Sequence, residues 1–153
     1  MDVWKKQIYP AAIEVVNRYS KIPIAKAGIK KFGLKKGAIV PSVSHDSHNI
    51  LAVGVDDVSL AETINVIIEV SDGISCINDN HKQVLPLPVA GLMSNENGYT
   101  VAKAYTAIDA MSKQLWSTLS APFMTLSFMA LWVMPHLKLS YKGLFDGDSF
   151  GFV

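Results

Sequence analysis

Gly37-Ala38-Ile39-Val40-Pro41-Ser42-Val43 runs into Ser44-His45-Asp46-Ser47-His48-Asn49 and out again through Ile50-Leu51-Ala52-Val53-Gly54-Val55. The two flanks are short, apolar and rich in β-branched residues, which is the pattern of buried strands. The six residues between them are polar and turn-forming. This stretch therefore predicts two strands of a sheet joined by a polar loop. Pro41 has no N–H to donate to a ladder, so its strand is expected at a sheet edge or at a bulge.

Strands continue on the N-terminal side. Residues 13–19 and 22–32 predict a hairpin around Ser20-Lys21, after a loose lead-in over residues 1–11. On the C-terminal side, Asp56-Asp57 offers an N-cap and negative charge for a helix start. Leu60, Ala61, Ile64, Ile67 and Ile68 follow at helical spacing. Asp72-Gly73 is expected to stop that helix through a left-handed cap. Residues 74–77 and 83–85 predict two more strands around the Asn78-Asp79-Asn80 turn. A second helix is expected from about Asn97, with Val101, Tyr105, Ile108, Met111, Leu115 and Leu119 on one face. Asp109 and Lys113 form an exposed pair one turn apart on it. A dense apolar segment over residues 122–135, a strand over 137–141 and a Gly/Asp-rich tail complete the chain. The predicted fold class is α+β: an antiparallel or mixed sheet packed against two main helices, in a single domain over residues 12–153.

Half of the 153 residues are hydrophobic and 18% are charged, so the chain can bury a core and is not of the disordered class. The net charge of +1 is unevenly spread: residues 1–36 carry +7 and residues 37–153 carry −6. The basic segment lacks an aromatic stacking series and any nucleic-acid motif. It reads as an edge hairpin protected by lysines, and no nucleic-acid partner is expected. Cys76 is the only cysteine, which fits a reducing compartment. No apolar leader and no membrane-length apolar run are visible, so a cytoplasmic protein without a membrane partner is expected.

Several chemistries have no motif here. There is no glycine-rich phosphate loop, no Ser elbow, no paired cysteines and no zinc-binding helix with two histidines. His81 and His136 are isolated and read as surface or turn residues. The candidate chemistry is the polar loop. Two imidazoles and a carboxylate, His45, Asp46 and His48, can ligate a divalent metal (zinc, manganese or iron) if the turn brings them together, and they are also the candidate catalytic residues. No cofactor beyond such a metal is expected. Asp46 can equally cap backbone amides and orient a histidine. Ser44 and Asn49 are candidate ligand contacts, because an amide can read a purine edge through its donor and acceptor. A second candidate loop runs over residues 85–94, where Gly91 and Ser94 are placed to line a pocket.

Three blocks carry a resemblance. Gly33-Leu34-Lys35-Lys36-Gly37-Ala38-Ile39 leads into the His-rich loop. Leu85-Pro86-Leu87-Pro88-Val89-Ala90-Gly91-Leu92-Met93-Ser94 comes next, and Pro122-Phe123-Met124-Thr125-Leu126-Ser127-Phe128 closes the set. In this order and spacing they resemble the C-terminal domain of bacterial and archaeal adenine deaminases, within the amidohydrolase superfamily. The resemblance implies that metal-dependent deamination belongs to a separate N-terminal barrel, whose His-x-His pair this chain lacks. It implies a free-standing version of the tail domain, beginning at Met1. Two departures stand out. Residues 17–23, Asn-Arg-Tyr-Ser-Lys-Ile-Pro, replace a His/Gly/Thr-rich stretch, and Trp132 stands where proline is frequent.

The functional expectation is an accessory or ligand-binding module in purine metabolism, not catalytic alone. Its expected partners are a purine ligand and a separate amidohydrolase barrel subunit, or further copies of itself in a homo-oligomer. The competing readings are a small metal-assisted hydrolase using His45, Asp46 and His48, and a structural oligomerisation domain.

Overall fold

The computed structural model describes residues 11–79 and 81–153. All of the expected lead-in except Ala11 lies outside the described residues, as does Asn80 of the expected turn. The main element is a six-stranded sheet with order β2-β1-β4-β3-β5-β6. Its strands are β1 (Ala11–Val16), β2 (Ala25–Ile29), β3 (Ala38–Pro41), β4 (Ile50–Gly54), β5 (Gly73–Asn78) and β6 (His81–Pro86). Every neighbouring pair is antiparallel. Helix α1 (Asp57–Glu69) joins β4 to β5 across the intervening β3. Helices α2 (Gly98–Gln114) and α3 (Pro122–Phe128) follow, then a three-stranded sheet of β7 (Leu137–Ser140), β8 (Gly143–Asp146) and β9 (Gly151–Phe152). This is the α+β class expected.

Period-two alternation divides the sheet into two buried faces. Ala38, Val40, Ile50 and Ala52 face one way and pack with Leu60, Ile64 and Ile67 of α1. Ile13, Val15, Ile39, Leu51, Val53 and Cys76 face the other way and pack with Ile108, Met111, Phe123 and Leu126. The flanks of the polar loop therefore look like unbroken apolar runs because both of their faces are covered.

The structure corrects several expectations. Pro41 lies on an internal strand. Ser42 N donates to Gly73 O on the β5 side, so the Pro41 nitrogen faces β4. The β3–β4 ladder has already ended there, at Ile39↔Val53. The missing donor is thus tolerated where the two strands splay apart at the loop end of the hairpin. The connection from β1 to β2 spans residues 17–24 instead of turning at Ser20-Lys21. Asn17 Oδ1 accepts from both Tyr19 N and Ser20 N, each at 2.8 Å, and this local turn ends β1 early. The basic hairpin does form the sheet edge, with Lys26 paired to the buried Glu14.

Helix α1 is capped as expected: Asp56 accepts from Ser59 N at 2.8 Å. Its buried face is Leu60, Thr63, Ile64 and Ile67, whereas Ile68 is exposed. The left-handed residues after it are Ser71 and Asp72. Gly73 has another reason to be glycine: a Cβ there would lie 2.3 Å from Leu85 O on the paired strand. Asn97 caps α2, and Leu115 and Leu119 lie beyond its end. Residues 122–128, not foreseen as a helix, form α3 with Pro122 in its first turn. Phe123 and Leu126 are buried on the α2 side of the sheet, and the cluster of Leu60, Ile64 and Ile67 belongs to the opposite side. Phe128 is only partly buried. The Gly/Asp-rich tail forms β8 and β9.

Cys76 is fully enclosed, and burial pushes its thiol up from the ordinary 9.0 to about 12. Above pH ~9 the unfolded thiol ionises while the folded one stays protonated. The folded state then binds more protons, so stability falls as pH rises through this window. Between pH 7.5 and 10 the wild type is expected to lose about 1 kcal/mol more than Cys76→Ala, as read by urea unfolding. Parallel pH profiles for the two proteins would show the thiol to be accessible.

Candidate functional site

The polar loop closes as one tight turn. His48 N donates to Ser44 O at 2.7 Å, and His48 adopts a left-handed conformation. Ser44 and Asn49, at the two ends, are buried, whereas Asp46 and Ser47 at the tip are exposed. The His45 ring lies 5.3 Å from the Phe128 ring and 6.3 Å from the His48 ring, between centroids. The turn thus rests on the last residue of α3.

The structure brings His45 and His48 together but does not assemble them with Asp46 as a metal group. Among the described residues no three His, Cys, Asp or Glu side chains are placed to hold a metal ion. The chemical reason is the turn itself, whose tip carries the carboxylate outward into solvent. Asn49 is not a free purine reader. Its Oδ1 accepts from Arg18 N at 3.2 Å and its Nδ2 donates to Ser47 Oγ at 3.0 Å, so the amide braces the loop. Ser44 Oγ and His48 Nδ1 differ: both are buried without a hydrogen-bond partner among the described residues. A buried polar atom left unpaired costs about 1–3 kcal/mol, so these two atoms are where the turn can take a further hydrogen bond.

What holds the turn is a residue the sequence reading passed over. Arg18, just past β1, sends its guanidinium to three segments distant in the chain. It pairs with Asp72 after α1, donates to His48 O at 2.8 Å, and donates to Ala90 O at 3.0 Å. Gly91 beside it has a left-handed backbone (φ 72°), and a Cβ there would come 2.3 Å from Arg18 Nη2 and 2.9 Å from Asp72 Cβ, so a side chain at 91 would displace the clamp. Ser42 makes a second knot: its hydroxyl donates to Gly91 O at 2.6 Å and accepts from Gly73 N at 3.0 Å. Gly91 therefore belongs to the site as a support. Ser94 does not join it; its hydroxyl accepts from Glu96 N in a local turn. Met93 in the same loop is exposed.

A signal for Arg18 was present. It is the single arginine among fourteen basic residues. A guanidinium offers five donors in a fixed fork, which suits several acceptors at once in a way an ammonium does not. Two hollows border this region. One, of about 460 Å³, is lined by Arg18, Tyr19, Ile68 and Asp72. The other, of about 370 Å³, lies beside the turn tip and is lined by Asp46, Ser47, Trp132, Val133, Tyr141 and Phe150.

A mixed α+β layer with an arginine-clamped, histidine-bearing loop is the class that this fold and site define. The family model for the adenine deaminase C-terminal domain matches residues 4–151. The chain belongs to that family. Curated relatives include an adenine deaminase of Sulfurovum sp. (strain NBC37-1), 55% identical over 142 residues, covering 92% of this chain and 27% of the relative. Another, from Salinibacter ruber, is 50% identical over 143 residues, covering 92% and 26%. A third, from Methanosarcina mazei, is 48% identical over 139 residues, covering 91% and 25%. The chain thus spans about a quarter of the length of the curated relatives it matches. Among the described residues, no helix is long and apolar enough to cross a membrane.

Proposed function

We propose that this chain is an accessory module of adenine deamination, acting in purine metabolism alongside a catalytic body and not as a deaminase by itself. The observation that carries the reading is one of proportion. The chain is about half identical to adenine deaminases but corresponds to only about a quarter of each. The site's construction supports the same reading. Its charged and polar groups are spent on positioning a turn, through Arg18, Ser42, Asn49 and Asp72, rather than on assembling a metal group. The module's contribution is then to present His45 and His48 in a fixed geometry to a partner or a purine. The barrel partner and the purine ligand are parts of this proposal.

The test is a chimera in which the last quarter of the Sulfurovum enzyme is replaced by this chain. It is expected to release ammonia from adenine within about tenfold of the parent, and His45→Ala/His48→Ala in the chimera to cost about a further tenfold or more in kcat/KM. Full activity of the Sulfurovum enzyme after deletion of that quarter would contradict the reading, because the module would then contribute nothing.

A further inference from the structure

We propose that the apolar face formed by Val133, Phe150 and Phe152, together with the groove leading from it to Asp46 and Ser47, is the docking face for the part of an adenine deaminase that this chain does not match. This rests on the accessory reading above and adds to it the surface through which the module acts.

The face is exposed yet rigid. Val133, Phe150 and Phe152 are 73%, 74% and 50% exposed. The aromatic members are not loose: buried Phe145 holds Trp132 in a stack at 5.0 Å and takes Phe150 and Phe152 edge-on at 5.4 and 5.3 Å. The loop carrying Phe150 is seated by Gly147, whose N–H donates to His136 O at 3.0 Å. A Cβ at Gly147 would come 2.8 Å from Met134 O, so the approach requires glycine. Fixed aromatic side chains lose little conformational entropy on association, and contiguous exposed apolar surface of this kind marks interaction sites. Val58 and Tyr99 are also exposed, but on other elements, away from this cluster, and need no such account.

The groove ties the face to the candidate site. Val133 and Phe150 line it together with Asp46 and Ser47, the tip of the histidine turn. Whatever covers the apolar face is brought against the turn. The occupant follows from length: in the relatives this segment is 25–27% of one polypeptide, so a body about three times larger is tethered to it.

The experiment reads cysteine labelling by peptide mass spectrometry in the free chain and in the Sulfurovum chimera. Phe150→Cys and Val133→Cys report on the face, and Tyr99→Cys on α2 is the control. Cys76 is buried and silent in both. The proposal expects positions 133 and 150 to label at least about tenfold more slowly in the chimera, with position 99 unchanged. Equal labelling in both proteins would overturn it, as would protection already present in a free chain that light scattering shows to be dimeric. Should either variant or the chimera fail to fold, amide exchange of segments 130–134 and 144–152 is compared between the free chain and the matching segments of the unmodified Sulfurovum enzyme. Slower exchange in the enzyme supports the face, and equal exchange overturns it. A chimera that deaminates adenine but labels freely at 150 sinks the docking face and leaves the accessory reading standing. A chimera protected at 150 but inactive does the reverse.

Discussion

Arg18→Ala is expected to lower the unfolding free energy by about 3 kcal/mol, near the low end of the range for breaking a buried ion pair, because the pair keeps some contact with water. The Arg18 and Asp72 side chains are 12% and 21% exposed. Removing the guanidinium leaves the Asp72 carboxylate and the carbonyls of His48 and Ala90 without their donor. It also releases the histidine turn from the segments around Asp72 and Ala90. Arg18→Lys is expected to recover less than half of the loss, since one ammonium cannot reach all three acceptors in the fork geometry. Urea unfolding measures both variants. A loss below about 1 kcal/mol for Arg18→Ala would mean that water replaces the clamp freely and that the turn is held by other contacts.

Leu126→Ala is expected to cost about 3–4 kcal/mol, within the range for a fully buried leucine. Leu126 is 0% exposed and sits in the cluster shared by the sheet, α2 and α3. Phe128, two residues on, is only partly buried against His45, so Phe128→Ala should cost about 1–2 kcal/mol despite the larger side chain. Denaturation midpoints at an unchanged slope would give both values. A reversal of this order would place α3 in the wrong rotation.

The elements with strong local periodicity were legible in the sequence. The capped, amphipathic α1 and the start of α2 follow from Asp56, Asn97 and the spacing of Leu60, Ile64 and Ile67. The strands flanking the histidine loop follow from their apolar, β-branched runs. What was not legible depends on tertiary context. Pro41 reads as an edge signal, but the edge it needs is local, where β3 and β4 part. Residues 122–128 carry two phenylalanines and a leucine in a window too short to separate helix from strand. Gly73 and Gly91 look like turn glycines, and only the approach of Leu85 O and Arg18 shows what they leave room for. In the site, the turn itself was visible from its residue types. Its support was not, because Arg18, Asp72 and Ala90 are joined across separations of 54 and 72 residues. Residue types alone also suggested three metal ligands at His45, Asp46 and His48, and the direction taken by the turn separates the carboxylate from the rings.

The most direct test of the account is ammonia release from adenine by this chain alone, purified and supplied in turn with manganese, iron and zinc. The account predicts background rates with every metal, because it assigns the catalytic groups to a partner body. Metal-dependent turnover that disappears in His45→Ala/His48→Ala would contradict it and would make this chain a small hydrolase in its own right.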